Sequence, residues 1–414
     1  MSTPPFAAPA GAAAPAVAVR KVRAAFVAQA ALVGSALALY ALVLVQAGWY
    51  HQDLDAYLAA GRAVWHGQPL YAPFLHHPFP DPPLRPAYIY PPVFALLVAP
   101  LGLLSDAAAN IVWLAVGQVA LVAALVITLR WLRPSAWALT AILCATATFY
   151  PLWVDAVQGQ ANLLVVLLVT AGIAGIVQGK AKFGAALGVA AALKLTPLLL
   201  VAWLLLDRRF REAGFMLGAL IGVTAAAALL RFDDTLIFFR QVVPALAYGT
   251  GIYANQSLPG VIARVATNNP YTHPWTVVPW AYLVAPTLIL TFVGLWVVRT
   301  RRQPAMLRAA AFLPLLPLAS SVTWPHHLVL LLPVIWFGFI AIAGRGWPLP
   351  STIAMGLLLL LFSVVARWPV GPAFNQPGFR AAQTADPAVF VVANALFFGT
   401  LSLFLLAPWL LRSR

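Results

Sequence analysis

Two aspartates, Asp53 and Asp55, stand one residue apart in the stretch HQDLDAYLAAG. The chain has only ten acidic residues among 414, and these two follow its first long apolar segment directly. A carboxylate at a membrane rim can act as a general base, because burial and neighbours tune its pKa toward the working pH. Positions 53 and 57 share a helical face while 55 points elsewhere. One carboxylate can therefore face a cavity while the other meets water; a solvated loop acid or a helix cap is the plainer alternative. Three other places could do chemistry. His326 and His327 open an apolar run in SSVTWPHHLVLLLP. Adjacent residues cannot both face one way on a helix, so one of them can meet a cavity as donor, phosphate partner or base. Lys194 lies inside FGAALGVAAALKLTPLLLVAWLLL. A lysine at that depth costs about 2.5–3.5 kcal/mol on insertion scales, so it needs an anionic partner or a route to an interface. Asp155, Gln160 and Asn162 share YPLWVDAVQGQANLLVVLL, and Asn255, Gln256, Ser257 and Arg264 share NQSLPGVIAR. Such amides and hydroxyls suit the many hydroxyls of a sugar, although the same residues also favour turns. His76-His77 sits in a proline-rich loop without a convincing set of metal ligands.

The elements that hold these residues are apolar helices. The chain is 63% hydrophobic and 8% charged, with a mean hydropathy of +0.89. Soluble domains carry about 25% charged residues, so this chain lacks the polar surface to coat a water-soluble globule. Repeated runs near the ~20 residues that cross a bilayer predict an all-α, polytopic membrane protein. Spans are expected at about 25–48, 111–129, 136–153, 161–178, 213–230, 279–298, 306–322, 327–343, 351–366 and 388–411. Residues 1–19, rich in Ala and Pro, read as a disordered cytoplasmic tail ahead of a single transmembrane domain over 20–414. The net charge of +15 is a topology signal rather than a nucleic-acid signal. With the N-terminus inside, the clusters Arg130/Arg133, Lys180/Lys182, Arg208/Arg209/Arg211 and Arg299/Arg301/Arg302 all fall on cytoplasmic turns. The single cysteine, Cys144, excludes an intrachain disulfide.

The segment 183–206 is long enough to span, yet basic residues flank both ends. Two short helices broken near Lys194-Leu195-Thr196-Pro197 satisfy both flanks, because Pro197 lacks an N–H and disfavours helix at Thr196. Non-helical backbone at depth implies an internal cavity. The stretch PPVFALLVAPLGLL at 91–104 is too short to span and is expected to lie at the outer interface. External loops 49–110 and 231–278 are long and rich in Tyr, Trp, Pro, His and Asn, so chemistry is expected on the external side. No Walker loop, dinucleotide-binding glycine pattern or internal repeat is present.

Seven motifs then stand in order: Asp53 to Tyr57, Tyr90-Pro91-Pro92, Pro100 to Leu104, Gly159-Gln160-Ala161-Asn162, Lys194 to Pro197, Asn255-Gln256-Ser257 with Arg264, and Trp324 to His327. The set resembles glycosyltransferase family 87, the C-type membrane glycosyltransferases that include polyprenol-phosphate-mannose-dependent mannosyltransferases. The resemblance implies an extracytoplasmic site at the plasma membrane, a polyprenyl-phosphate sugar donor, a lipid or glycan acceptor, and neither cofactor nor metal. Asp53, not Asp55, takes the place of the general base, with His326 and His327 beside it. Lys194 would help hold the donor phosphate. Tyr57, Tyr90, Asp155, Gln160, Asn162, Asn255, Gln256, Ser257 and Arg264 are then expected to bind substrate. One departure is Pro325, where the mannoside enzymes tend to carry an acid. A transporter or flippase is the competing class, suited by the broken hairpin and the intramembrane lysine. The absence of an inverted repeat and of membrane-embedded acids speaks against it.

Overall fold

The computed structural model describes residues 13–48, 52–76, 87–367 and 377–412. Among these residues every regular element is helical. Six helices are long and apolar enough to cross a membrane: Arg23–Ala47, Asp106–Leu132, Phe210–Leu230, Ala281–Thr300, Pro325–Gly344 and Leu349–Arg367. Two bent pairs raise the number to eight at most. Ala136–Thr148 meets Tyr150–Gln158 at 48°, and Pro387–Ala393 meets Ala395–Leu410 at 71°. The ten spans expected from sequence thus exceed what helix length supports. The difference lies at 161–178, where Asn162–Val177 has 16 residues, and at 306–322. There the chain breaks between Ala305–Phe312 and Leu315–Ala319, because Pro314 and Pro317 remove donors from the ladder. The first helix starts at Ala13, so residues 13–19 are helical rather than part of a disordered tail. Residues 1–12 lie outside the described residues.

Local sequence explains many of these boundaries. Ser105 and Ser135 cap helix starts by accepting from the N–H groups of Ala108 and Ala138, both at 3.4 Å. Arg133 leaves the helix in a left-handed conformation at φ 46°, and Pro134 after it disfavours further helix. The Pro325–Gly344 helix is the central one. Of its apolar window, 72% is buried, against 17–28% in the other five long helices. Its neighbours therefore leave their outer faces for lipid.

The segment around Lys194 is a true hairpin. A Cβ on Gly184 would meet the Glu212 carbonyl at 2.2 Å, and one on Gly188 would meet the Met216 carbonyl at 2.1 Å. These close approaches set Gly184–Leu193 parallel to Phe210–Leu230. The chain leaves helix at Lys194, whose backbone is extended (φ −151°, ψ 124°). It makes one 3₁₀ turn over Thr196–Leu199 and returns as Leu200–Leu206. A tight turn with Arg208 at φ 56° then reverses it into Phe210–Leu230. The two basic flanks consequently share one end of the molecule, and Lys194 sits at the tip.

Interhelical bonds define the two ends. Arg308 Nε donates to Asp207 Oδ1 at 2.7 Å, Arg299 Nη1 to the Leu405 carbonyl at 2.6 Å and Arg345 Nη2 to the Leu410 carbonyl at 2.8 Å. These join the basic turns. At the opposite end Asn110 Nδ2 donates to the carbonyls of Ala47 (3.3 Å) and Gly48 (3.2 Å), and Trp113 Nε1 to that of Gly159 at 2.8 Å. A second apolar core covers this end: Leu54, Tyr57, Tyr71, Tyr88, Phe94 and Trp113 among others. The 91–104 stretch forms Pro92–Val98 and a 3₁₀ turn, Ala99–Leu103. It crosses the Gln52–Trp65 helix closely. A Cβ on Gly61 would lie 3.0 Å from the Val98 carbonyl, and one on Gly102 would lie 3.0 Å from the Arg62 nitrogen.

Candidate functional site

The Gln52–Trp65 helix carries Asp53 and Asp55 in its first turn. Asp53 is half-buried and Asp55 is exposed, as their ~200° separation on a helix requires. Burial pushes the Asp53 carboxyl up to about 6, opposed by a hydrogen bond from Gln160 and the charge of Lys194. Tyr57, one turn on, packs edge-on against Tyr90 and Phe94, at ring separations of 5.2 and 4.8 Å.

Gly159 ends the Tyr150–Gln158 helix at φ 68°, a left-handed conformation that suits glycine. The turn delivers Gln160 and Asn162 in quick succession, and both are buried. Gln160 Oε1 accepts from the hydroxyls of Tyr57 (3.0 Å) and Tyr90 (2.9 Å), and Gln160 Nε2 donates to Asp53 Oδ2. Lys194 Nζ donates to Asn162 Oδ1 at 2.6 Å and to the Tyr90 hydroxyl at 3.3 Å, with the Tyr90 ring centroid 5.2 Å away. Asn162 Nδ2 passes the pattern on to Asp155 Oδ1 (2.8 Å) and the His326 carbonyl (3.3 Å). One ammonium is thus linked through an amide to each of two carboxylates. No ion pair within 4.0 Å involves Lys194 among the described residues, so one of its three N–H bonds remains for a ligand.

The two histidine rings lie 4.6 Å apart, edge to face. His326 is buried and its Nδ1 has no hydrogen-bond partner among the described residues; the same holds for Asp155 Oδ2. Unmatched buried polar atoms are uncommon, and these two flank Asn162. The structure therefore gathers Asp53, Tyr57, Tyr90, Asp155, Gln160, Asn162, Lys194 and His326, with His327 adjacent.

It does not bring the NQSLPGVIAR residues into that network. Asn255 Nδ2 donates to the carbonyls of Thr250 (2.9 Å) and Ser321 (3.1 Å). Its Oδ1 accepts from Ser257 N, Ser257 Oγ and Thr323 N. Gln256 Nε2 donates to the carbonyls of Tyr253 (2.6 Å) and Ala393 (2.9 Å), and its Oε1 accepts from Phe397 N at 3.0 Å. Ser257 caps Leu258–Ala266 by accepting from Gly260 N. Arg264 donates to the Ile252 carbonyl (2.7 Å) and to Asn394 Oδ1 (2.6 Å), and burial pushes its guanidinium down to about 9. The polar atoms that sequence reasoning assigned to a sugar are committed mostly to backbone.

Sequence reasoning missed the supports of Tyr90. The Tyr71 hydroxyl donates to the Tyr90 carbonyl at 2.6 Å and the Tyr88 hydroxyl to that of Pro91 at 2.7 Å. Asp234 Oδ1 accepts from Leu70 N at 2.9 Å, which fixes the turn before Tyr71. Asp234 is 164 residues from Leu70, and no spacing rule connects them. His76 is exposed at the end of a five-residue helix. His77 and Asp81 lie outside the described residues. Among the described residues no group of three or more His, Cys, Asp or Glu could hold a metal ion.

A polytopic helical chain with a buried, charged polar cluster at one end is the architecture of a membrane-embedded transferase or transporter. Comparison with known proteins separates the two. The model of glycosyltransferase family 87 matches residues 88–321, more than half of the chain, and the protein belongs to that family of glycosyltransferases. The chain is 27% identical over 366 residues to a polyprenol-phosphate-mannose-dependent α-(1-2)-phosphatidylinositol mannoside mannosyltransferase of Mycobacterium tuberculosis strain H37Rv, covering 81% of this chain and 80% of the relative. A protein of the same description from Mycolicibacterium smegmatis is 28% identical over 77% of each chain. A pentamannoside mannosyltransferase from Mycobacterium tuberculosis is 27% identical over 77% of this chain and 75% of its own. No solved structure matches.

Proposed function

We propose that the protein transfers mannose from a polyprenyl-phosphate donor to a glycolipid acceptor of the phosphatidylinositol mannoside type, at the end of the molecule that holds Asp53. That end faces away from the cytoplasm at the plasma membrane, because the basic turns crowd the other end. The observation that carries the reading is the cluster itself: one ammonium with an N–H left over among the described residues, linked to the half-buried Asp53 and the buried Asp155. The relatives' donor and acceptor suit that chemistry.

In this reading Asp53 takes the proton of the acceptor hydroxyl. The freed oxygen forms a bond to the anomeric carbon, and the bond from that carbon to the phosphate oxygen breaks. The electron pair leaves with the polyprenyl phosphate, whose charge meets Lys194 and the His326-His327 pair. A single displacement inverts the anomeric carbon. Residues 20–414 act as one unit, and surrounding lipids supply the donor laterally. No metal or further cofactor enters this scheme. The Asn255 network acts as a scaffold for the 321–327 segment.

Purified protein in vesicles should move radiolabelled mannose from polyprenyl-phosphate-mannose to a phosphatidylinositol mannoside. Transport of the donor across the vesicle without any new glycolipid would favour a flippase instead.

A further inference from the structure

The hydrogen bonds around Lys194 have a direction. Lys194 has only donors, so the Tyr90 hydroxyl oxygen must accept from it. The Tyr90 proton is then free to point at Gln160 Oε1, where the Tyr57 proton also arrives. A glutamine amide can sit in two flipped orientations. Two hydroxyl donors on Oε1 select one of them and turn Nε2 toward Asp53. The chain runs without a reversal from the cation to the carboxylate: Lys194, Tyr90, Gln160, Asp53. A shorter arm, Lys194 to Asn162 to Asp155, has the same polarity.

We propose that Gln160 is the positioning residue of the base: locked by Tyr57 and Tyr90, its amide aims one oxygen of Asp53 and leaves the other for the acceptor hydroxyl. This rests on the reading of Asp53 as the base. The geometry favours it over simple core satisfaction, because a glutamine that served only two tyrosines would need no carboxylate. The Asp53 side chain would also rotate freely without it. The Gln-x-Asn spacing acquires a reason as well. Two amides two residues apart at the start of one helix reach the two arms of one cation.

A donor to the ionised form also favours ionisation. Among the described residues the other groups that face Asp53 are Tyr57 on its own helix, Tyr90 from the segment before Pro92–Val98 and Lys194 from the hairpin tip; Asp155 lies one step further, on the other arm from Lys194. Asp55 points outward, and the Arg62–Asp106 pair lies at the far end of the helix. Among the described residues none of these donates a hydrogen bond to Asp53 in Gln160's place.

The test is the pH dependence of kcat/KM in Gln160→Leu and Tyr90→Phe. The native enzyme should lose activity as pH falls through about 6. Gln160→Leu should move that limb upward by about half a unit to one unit and lower the plateau about 10- to 100-fold through misplacement of the base. Tyr90→Phe removes one hydroxyl only, so it should fold even if the leucine variant does not. It should move the limb the same way by less. A purely structural glutamine would lower the plateau or the thermal midpoint and leave the limb in place. Unmoved limbs in both variants, with Asp53→Asn inactive, overturn the positioning role alone. Full activity of Asp53→Asn overturns the base itself.

Discussion

The polar groups around Lys194 and those around Asn255 meet on one short segment: Thr323 belongs to the second set, and His326, three residues on, to the first. They are bonded in opposite ways. Asn255 uses both amide hydrogens and takes three donors on its oxygen, and four of these five contacts are to backbone. The Lys194 set is built mostly from side chain to side chain, carries charge, and leaves Asp155 Oδ2 and His326 Nδ1 unmatched among the described residues. Bonding to backbone fixes a chain path and leaves little to bind; in that second set Arg264 Nε alone is buried without a partner among the described residues. Bonding among charged side chains with valences left over keeps a site ready for a ligand. The contrast sorts polar residues in an apolar chain better than residue type does.

The sharpest way to test the contrast is at Asp53. Asn is nearly isosteric, so Asp53→Asn should keep the fold and donor binding while turnover falls by about 10²–10⁴, the usual range for losing a general base. Single-turnover transfer from polyprenyl-phosphate-mannose measures it. A variant with native turnover would remove the reason for calling the Lys194 cluster a site.

Asn255→Ala should act on stability instead. It strands the N–H groups of Ser257 and Thr323 and the carbonyl of Thr250, while the Ser321 carbonyl keeps the Ser257 hydroxyl. At about 1–3 kcal/mol for a buried group left unsatisfied, with partial relief by water, a loss of about 2–4 kcal/mol is expected. The thermal midpoint should fall while donor affinity of the folded fraction stays native. A native midpoint with weakened sugar binding would return Asn255 to the site and dissolve the distinction.

This difference was hidden in the sequence for a physical reason. Motif spacing reports which residues are close along the chain, and both QGQAN and NQS supply amides at turns. Whether an amide meets backbone or a cation depends in part on distant partners, such as Lys194 for Asn162 at 32 residues and Phe397 for Gln256 at 141. The hairpin was legible because its cause is local: basic flanks, Pro197 and a length that fits two short helices. The all-helical architecture was legible from composition for the same reason. The number of spans was less so, because Pro314 and Pro317 break a run that hydropathy alone reads as continuous. The supports of Tyr90 were not legible, since Tyr71 and Asp234 act across 19 and 164 residues and no spacing rule marks the local Tyr88 bond to the Pro91 carbonyl.

Lys194→Met asks how much of the cluster is electrostatic. It removes a costly charge, so the fold should survive. It also removes a charged hydrogen-bond donor, worth about 1.5–3 kcal/mol toward an anion, so donor affinity should fall about 10- to 100-fold. Binding of a polyprenyl-phosphate-mannose analogue to the variant in vesicles reads this directly. Unchanged affinity would assign the phosphate to another group, and loss of folding would make Lys194 structural.

The smallest effect should come from Asp55, and its smallness carries information. Asp53 and Asp55 have the same chemistry, the same helix and nearly the same distance from the membrane. Only the ~100° step per residue separates them, placing one against Gln160 and the other at the exposed surface. An exposed carboxylate away from the cluster changes stability by no more than about 0.5 kcal/mol when replaced, so Asp55→Asn should keep turnover within about twofold of native. Its kcat/KM profile should still fall below about 6, because Asp53 supplies that limb. If the limb vanished in Asp55→Asn and persisted in Asp53→Asn, the helix would have to present its other face to the substrate. The whole Lys194 cluster would then be scaffold.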